Sequence, residues 1–337
     1  MKFSSLLKSA AALALVASTA SAATTLRIQT HYAADHPSGK LAQMFADDVE
    51  VMSNGSIDIE MFFSSSVVAT METFDAAVNG ILDCDMTGGG YQTGKNSAFQ
   101  FVGDIMGGYD TPYQQLSWLY YSDGGYDAAQ ALYNKEGMQL IGWWIYGQES
   151  MSSSKPLAGP EDLKGWKFRS PPGLETQIFS AMGASPIVMD FTEIFTALET
   201  GIIDGADASG LANNVGLGLY DLVKPATYPG FHSMPSDHLA CNKMVWDGLT
   251  ESERRIIETA MQKVSLHTAL SNDKKNAEAA AALKADGVTL YDWSAEDRAA
   301  FRARAQGAWD KFADTPEAKA LVASHRAYLR DLGLISE

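Results

Sequence analysis

Residues 163–209 read "LKGWKFRSPPGLETQIFSAMGASPIVMDFTEIFTALETGIIDGADAS", and their rhythm decides the fold. The run up to Arg169 is strand-like. It stops at Pro171-Pro172-Gly173, where proline fixes the backbone and removes a donor. "LETQIFSAMGA" has helical apolar spacing, "SPIVMD" is a short strand, and "FTEIFTALETG" sets Phe191, Ile194, Phe195 and Leu198 on one helix face. "IIDGADAS" closes the unit as another strand. A β-α-β-α-β order is the pattern of a mostly parallel sheet with helices on its faces.

The opening third carries the same order. "TTLRIQTHY" alternates with Leu26 and Ile28 on one side, and "DHPSGK" turns into a helix bearing Leu41, Met44, Phe45, Val49 and Met52. "IDIEMFF" alternates again, "METFDAAVNGIL" is helical, and "DCDMTGG" is a strand ending in glycines. "GMQLIGWWIYG" at 137–147 reads as a buried strand with Trp143 and Trp144 on alternate faces. "HLACNKMVWDGL" reads as a strand that returns the chain to the first sheet. From about Thr250 the pattern is almost purely helical and charged, with a high-propensity run at Ala279 to Ala282.

These elements predict an α/β fold of two lobes, a clamshell with mixed sheets in each lobe and a helical C-terminal region. Residues 23–147 with roughly 233–250 form the first lobe, 148–232 the second, and 251–337 pack across both. Ligands of open α/β sheets bind outside the carboxyl ends of the strands. Those ends fall at His31-Tyr32, Gly88 to Tyr91, Gln148, Arg169-Ser170 and Asp207-Ala208.

Residues 1–22 read as a cleaved secretory signal: Lys2 and Lys8 precede a short apolar run, and Ala20-Ser21-Ala22 is an A-x-A cleavage pattern. Losing those lysines takes the net charge from −16 to −18. So acidic a chain repels phosphate backbones and anionic lipid, which argues against nucleic acid or a membrane surface as partner. Cys84 and Cys241 both sit in strand-like runs, and in an oxidising compartment either one bridge or two buried thiols fits them.

Enzyme signatures such as H-E-x-x-H, G-x-S-x-G, a P-loop and G-x-G-x-x-G are absent, and the histidines show no metal-pair spacing. The expectation is a binding protein, not an enzyme. Arg169 has two readings: a surface cation paired with one of many carboxylates, or a clamp whose planar guanidinium takes a carboxylate by two parallel bonds. Gln148 and Asp207, also at strand ends, are either structural loop groups or oxygen donors suited to a hard cation such as Na⁺ or Ca²⁺.

The blocks "HPSGKLAQMFADDVEVMSNGSIDIEMF", "EDLKGWKFRSPPG", "EIFTALETGIIDGADA" and "GLGLYDLVKPATYPGFH" resemble the extracytoplasmic solute receptors of TRAP transporters, over about residues 25–330. The resemblance implies a periplasmic receptor that closes on an organic acid and delivers it to membrane subunits for ion-gradient-driven uptake. It places the carboxylate clamp on Arg169. Within the family the chain is most similar to the branch that binds 2-oxo and 2-hydroxy monocarboxylates, some members of which hold ligand through a metal ion. That branch puts its metal-side glutamine on Gln148 and an aromatic pocket residue on Tyr91. Its Glu-Trp pair falls on Asp207-Ala208, and a further acid falls on Asp237 or the neighbouring His238. The implied ion set is Gln148, Asp207 and Asp237, with a Na or Ca ion bridging the substrate; His31 and Tyr32 complete the first-lobe wall. Alanine in place of tryptophan points to a wider pocket. Rival readings are a receptor for an aromatic acid, sugar acid or zwitterion, a secreted hydrolase, and a ligand-sensing subunit for a membrane kinase. A homodimer through the helical tail is one arrangement that relatives adopt.

Overall fold

The computed structural model describes residues 23–335; the expected signal segment lies outside them. The strands are β1 (Thr24–Thr30), β2 (Ile57–Phe62), β3 (Cys84–Met86), β4 (Met138–Ile145), β5 (Ser152–Ser153), β6 (Lys167–Ser170), β7 (Ser185–Val188), β8 (Gly205–Ala206), β9 (Pro225–Thr227), β10 (Ser236–Asn242) and β11 (Thr289–Tyr291). They make a five-stranded sheet in the order β2-β1-β3-β10-β4 and a six-stranded sheet in the order β11-β9-β5-β8-β6-β7. In the first, β1 is parallel to β2 and β3, and β10 is antiparallel to β3 and β4. In the second, β6 is parallel to β7 and β8, while β5 is antiparallel to β8 and β9. Both sheets are mixed, and the architecture is the two-lobed α/β clamshell.

Local chemistry explains the elements. The Pro37–Met52 helix starts with proline in its first turn and His36 as cap, whose Nδ1 accepts from Ser38 N at 3.1 Å. It buries Leu41, Phe45 and Val49. On β4 the alternation of a strand sends Trp143 and Trp144 into different hydrophobic clusters. Gly205 is required where β8 squeezes beside β5: an added Cβ would meet Ser152 O at 2.2 Å and the Trp166 ring at 2.8 Å.

Two readings are corrected. The strand expected to run on through Trp246 ends at Asn242, whose side chain accepts from Met244 N and opens the Lys243–Gly248 helix. The tail is not purely helical: Gly287, at φ 81°, ends the long helix, and β11 then adds itself parallel to β9.

The Glu251–Ala285 helix begins with a capping box between Thr250 and Glu253. Ser265 Oγ donates to Trp143 O and Asn272 Nδ2 to Ile145 O at 2.8 Å, on the first sheet. Asn276 Oδ1 accepts from Ala212 N at 2.9 Å, beyond the second sheet's β8. Cys84 and Cys241 lie opposite each other on β3 and β10 and are disulfide-bonded, joining points 157 residues apart.

Candidate functional site

Between the sheets lies a cavity of about 70 Å³, space for several waters or a small ligand. The six-stranded sheet contributes Arg169, Pro171, Pro172, Glu175 and Ala208 to its wall; the other lobe contributes His31, Tyr32, Tyr91, Tyr146 and Asp237. Asp104 and Glu149 also face it.

Arg169, near the end of β6, is 2% exposed. One terminal nitrogen donates to Asp207 O at 2.9 Å and the other to the Tyr91 hydroxyl at 3.1 Å, while Nε is buried without a partner. The guanidinium carbon stands 5.7 Å from the Phe191 ring centroid. Around this single cation are several buried acids. Burial and the neighbouring Asp207 charge push Glu149 and Glu175 well above the usual carboxylate range. Burial raises Asp104 to about 6 and Asp237 to about 8. His31 is pushed down to about 3, first by burial and then by the Arg169 charge, so it stays neutral. Burial is the first cause for each acid, and the Arg169 charge offsets it only in part at Glu149 and Glu175.

The lobes are closed on each other. Besides the Tyr91–Arg169 bond, Leu174 N donates to Gln100 Oε1 at 3.0 Å. Gly173 lies so near that a Cβ would come within 2.2 Å of this oxygen, and its φ of 117° also favours glycine, which explains the glycine after the two prolines. At the rim Asp190 accepts from Thr70 N at 2.8 Å and from Thr70 Oγ1 at 2.7 Å. Burial would raise Asp190, but hydrogen bonds from Thr192 and Thr70 outweigh it and hold the carboxyl low. Because the Thr70 bonds exist only when the lobes meet, Asp190→Ala should weaken ligand affinity about tenfold, roughly 1.4 kcal/mol, with an unchanged far-ultraviolet spectrum. Calorimetric titration giving equal affinities would exclude a role for this rim contact in closure.

The structure brings Arg169, Tyr91, His31, Tyr32 and Asp237 to one cavity. It places Gln148 and Asp207 otherwise. The Gln148 amide donates to Tyr109 O at 3.1 Å, its Oε1 is buried without a partner, and the residue lies outside the cavity wall. The Asp207 side chain points behind Arg169, with Oδ2 at 2.5 Å from His232 Nε2. The groups that converge with Asp207 are Glu149 and His232, within 4.8 Å of one another, whereas Asp237 stands on the opposite wall. Glu149, Glu175, Asp104 and His232 escape sequence reading: each is an ordinary polar residue in a loop or first helical turn, and only burial singles it out. The position of Glu149 directly after Gln148 was the one available signal.

A sequence profile of bacterial extracellular solute-binding proteins, family 7, matches residues 28–315. The chain belongs to this family. Its members are the extracytoplasmic receptors of TRAP transporters, which bind small organic acids and work with membrane permease subunits. A monocarboxylate 2-oxoacid-binding periplasmic protein of Nostoc sp. is 30% identical over 266 residues, 76% of this chain and 70% of the relative. A TRAP periplasmic solute-binding protein of Rhodobacter sphaeroides, solved apo and open, is 35% identical with a TM-score of 0.72, covering 93% of this chain and all of the other. That of Bordetella bronchiseptica, solved as a dimer with calcium and picolinate in one active site, has a TM-score of 0.85 at 24% identity, over 93% and 94% of the two chains. Family 7 members are receptors, not enzymes, and no helix among the described residues is long and apolar enough to cross a membrane.

Proposed function

We propose that this family 7 receptor captures a short 2-oxo or 2-hydroxy monocarboxylate in the periplasm and passes it to the membrane subunits of a TRAP transporter. Arg169 carries the reading. Each terminal nitrogen bears two N–H groups and spends one, on Asp207 O or the Tyr91 hydroxyl. The remaining pair suits two parallel bonds to a carboxylate.

A bridging cation is the second part of the proposal. Glu149 Oε2, Asp207 Oδ1 and Gln148 Oε1 are buried without partners, and oxygen donors of this kind fit Na⁺ or Ca²⁺. His232, bonded to Asp207 Oδ2, would orient that carboxylate. The cation would balance acids that Arg169 leaves uncompensated and reach the 2-oxygen of the ligand on the Glu149 side, the one of these three residues that lines the cavity. The Nostoc relative's 2-oxoacid specificity and the calcium of the Bordetella protein support the reading.

The test is a thermal-shift panel of organic acids in sodium-containing buffer, in buffer with calcium, and in choline buffer with EGTA. Pyruvate, lactate and their homologues should raise the melting temperature by several degrees, since a ligand at about 100 times its Kd adds about 2.7 kcal/mol. The shift should disappear in choline with EGTA. Stabilisation by dicarboxylates, sugar acids or aromatic acids alone would remove the monocarboxylate class. A shift unaltered in choline with EGTA would remove the ion.

A further inference from the structure

The cavity has a second polar pole, remote from Arg169. Asp237 lies on β10, and its Oδ2 accepts a hydrogen bond from the Tyr146 hydroxyl. That hydroxyl is fixed in turn, accepting from Trp144 Nε1 at 2.8 Å and from the Tyr32 hydroxyl at 2.6 Å. So the carboxyl is held rigidly by one of its oxygens. Oδ1 accepts no hydrogen bond from any described residue. Gly88 leaves the space beside it open; a Cβ there would stand 3.4 Å from Oδ1 and 3.4 Å from the Tyr91 ring. Tyr91 thus spans the distance between the poles, its ring near Gly88 and its hydroxyl on Arg169. His31, whose Nδ1 is buried without a partner, adds a second unmatched polar atom on the same side.

Asp237 lines the cavity, and an aliphatic ligand tail that covered Oδ1 without offering it a hydrogen bond would be costly. A donor on the ligand would remove that cost. We infer that Asp237 is a specificity residue of this cavity: it takes a hydrogen bond from a hydroxyl or ammonium group at the end of the ligand remote from the carboxylate, so the receptor selects short acids carrying such a distal donor over plain aliphatic ones. The inference rests on the carboxylate clamp at Arg169. It assigns Asp237 a place apart from the Glu149–Asp207–His232 cluster, on the wall formed by β10 and the start of the loop after β1. The separation of the poles by one tyrosine side chain matches a backbone of three or four carbons.

Lactate, glycerate and isoserine test it, since they share a 2-hydroxy acid frame and differ at the third carbon by hydrogen, hydroxyl or ammonium. Calorimetric titration of the full-length mature receptor should give glycerate or isoserine an affinity at least about tenfold above lactate, worth about 1.4 kcal/mol. Which of the two leads identifies the donor. In Asp237→Ala the advantage should vanish while lactate changes by less than about threefold; Asp237→Asn, which keeps shape but cannot ionise to match an ammonium, should retain the hydroxyl preference and lose the ammonium one. Lactate binding as well as both others in the native protein overturns the inference, as does an advantage that persists in folded Asp237→Ala. If none of the three binds while other acids do, and Arg169→Ala loses those acids, the clamp stands and the Asp237 inference falls. Binding that survives Arg169→Ala removes the clamp itself.

Discussion

Replacing Arg169 with alanine should abolish ligand binding while leaving a folded protein. The side chain is 2% exposed and preset by Asp207 O, the Tyr91 hydroxyl and the face of Phe191. Little rotamer freedom is left to lose on binding. Charge-assisted bonds contribute about 1.5–3 kcal/mol each, so loss of a bidentate pair amounts to roughly a hundredfold to twenty thousandfold in affinity. Arg169→Lys should recover little of it, because an ammonium cannot offer two parallel N–H groups or keep both anchoring bonds. The proper readout is the ligand-induced shift and the titration isotherm rather than the melting temperature of the bare protein. Without its guanidinium the cavity holds Glu149 and Glu175 with no nearby counter-charge, and they will take up protons more firmly. An affinity within about threefold of the parent in Arg169→Ala would end the clamp assignment.

The second large effect is on stability. The Cys84–Cys241 bridge closes a loop of 157 residues. Chain-entropy reasoning gives about 5 kcal/mol for such a loop, against about 2–4 kcal/mol usually measured. Cys84→Ala combined with Cys241→Ala should therefore lower the melting temperature by about 5–10 °C, and a reducing agent should do the same to the parent. Both sulfurs are buried between β3 and β10, so reduction should need partial unfolding and proceed slowly. Two free thiols by alkylation of the denatured, unreduced protein would refute the bridge.

Much of this molecule is legible before its structure is known. Periodicity placed the strand and helix core of both lobes, because those elements bury one face and must repeat their apolar residues. It overlooked β5, β9 and β11, short strands with no room for a pattern. It also overran β10, where a single Asn242 cap turns strand into helix. The family blocks put Arg169 and Tyr91 in one site, and the two side chains are hydrogen-bonded on the wall of one cavity. The acids around them were a different matter. Nothing in "GQESMSS" says that Glu149 is buried, and nothing in "PGFHSMP" says that His232 lies against Asp207. Such groups are defined by what the other lobe covers, a relation between distant segments that no local pattern encodes. The cysteines were undecided for the same reason until the register of β3 against β10 set them opposite each other.

The helix from Glu251 to Ala285 runs about 50 Å at the usual rise per residue. It is tied to Ile145 O of one lobe and to Ala212 N beside the other. A beam fastened to both halves along the back acts as an axle, and displacement grows with distance from an axle. Thr70 and Asp190, at the rim, must travel farthest when the halves part. Tyr146, one residue past the fastened carbonyl, lies beside that axle, and Asp237 is bonded to it, so the leverage on this wall of the cavity is small.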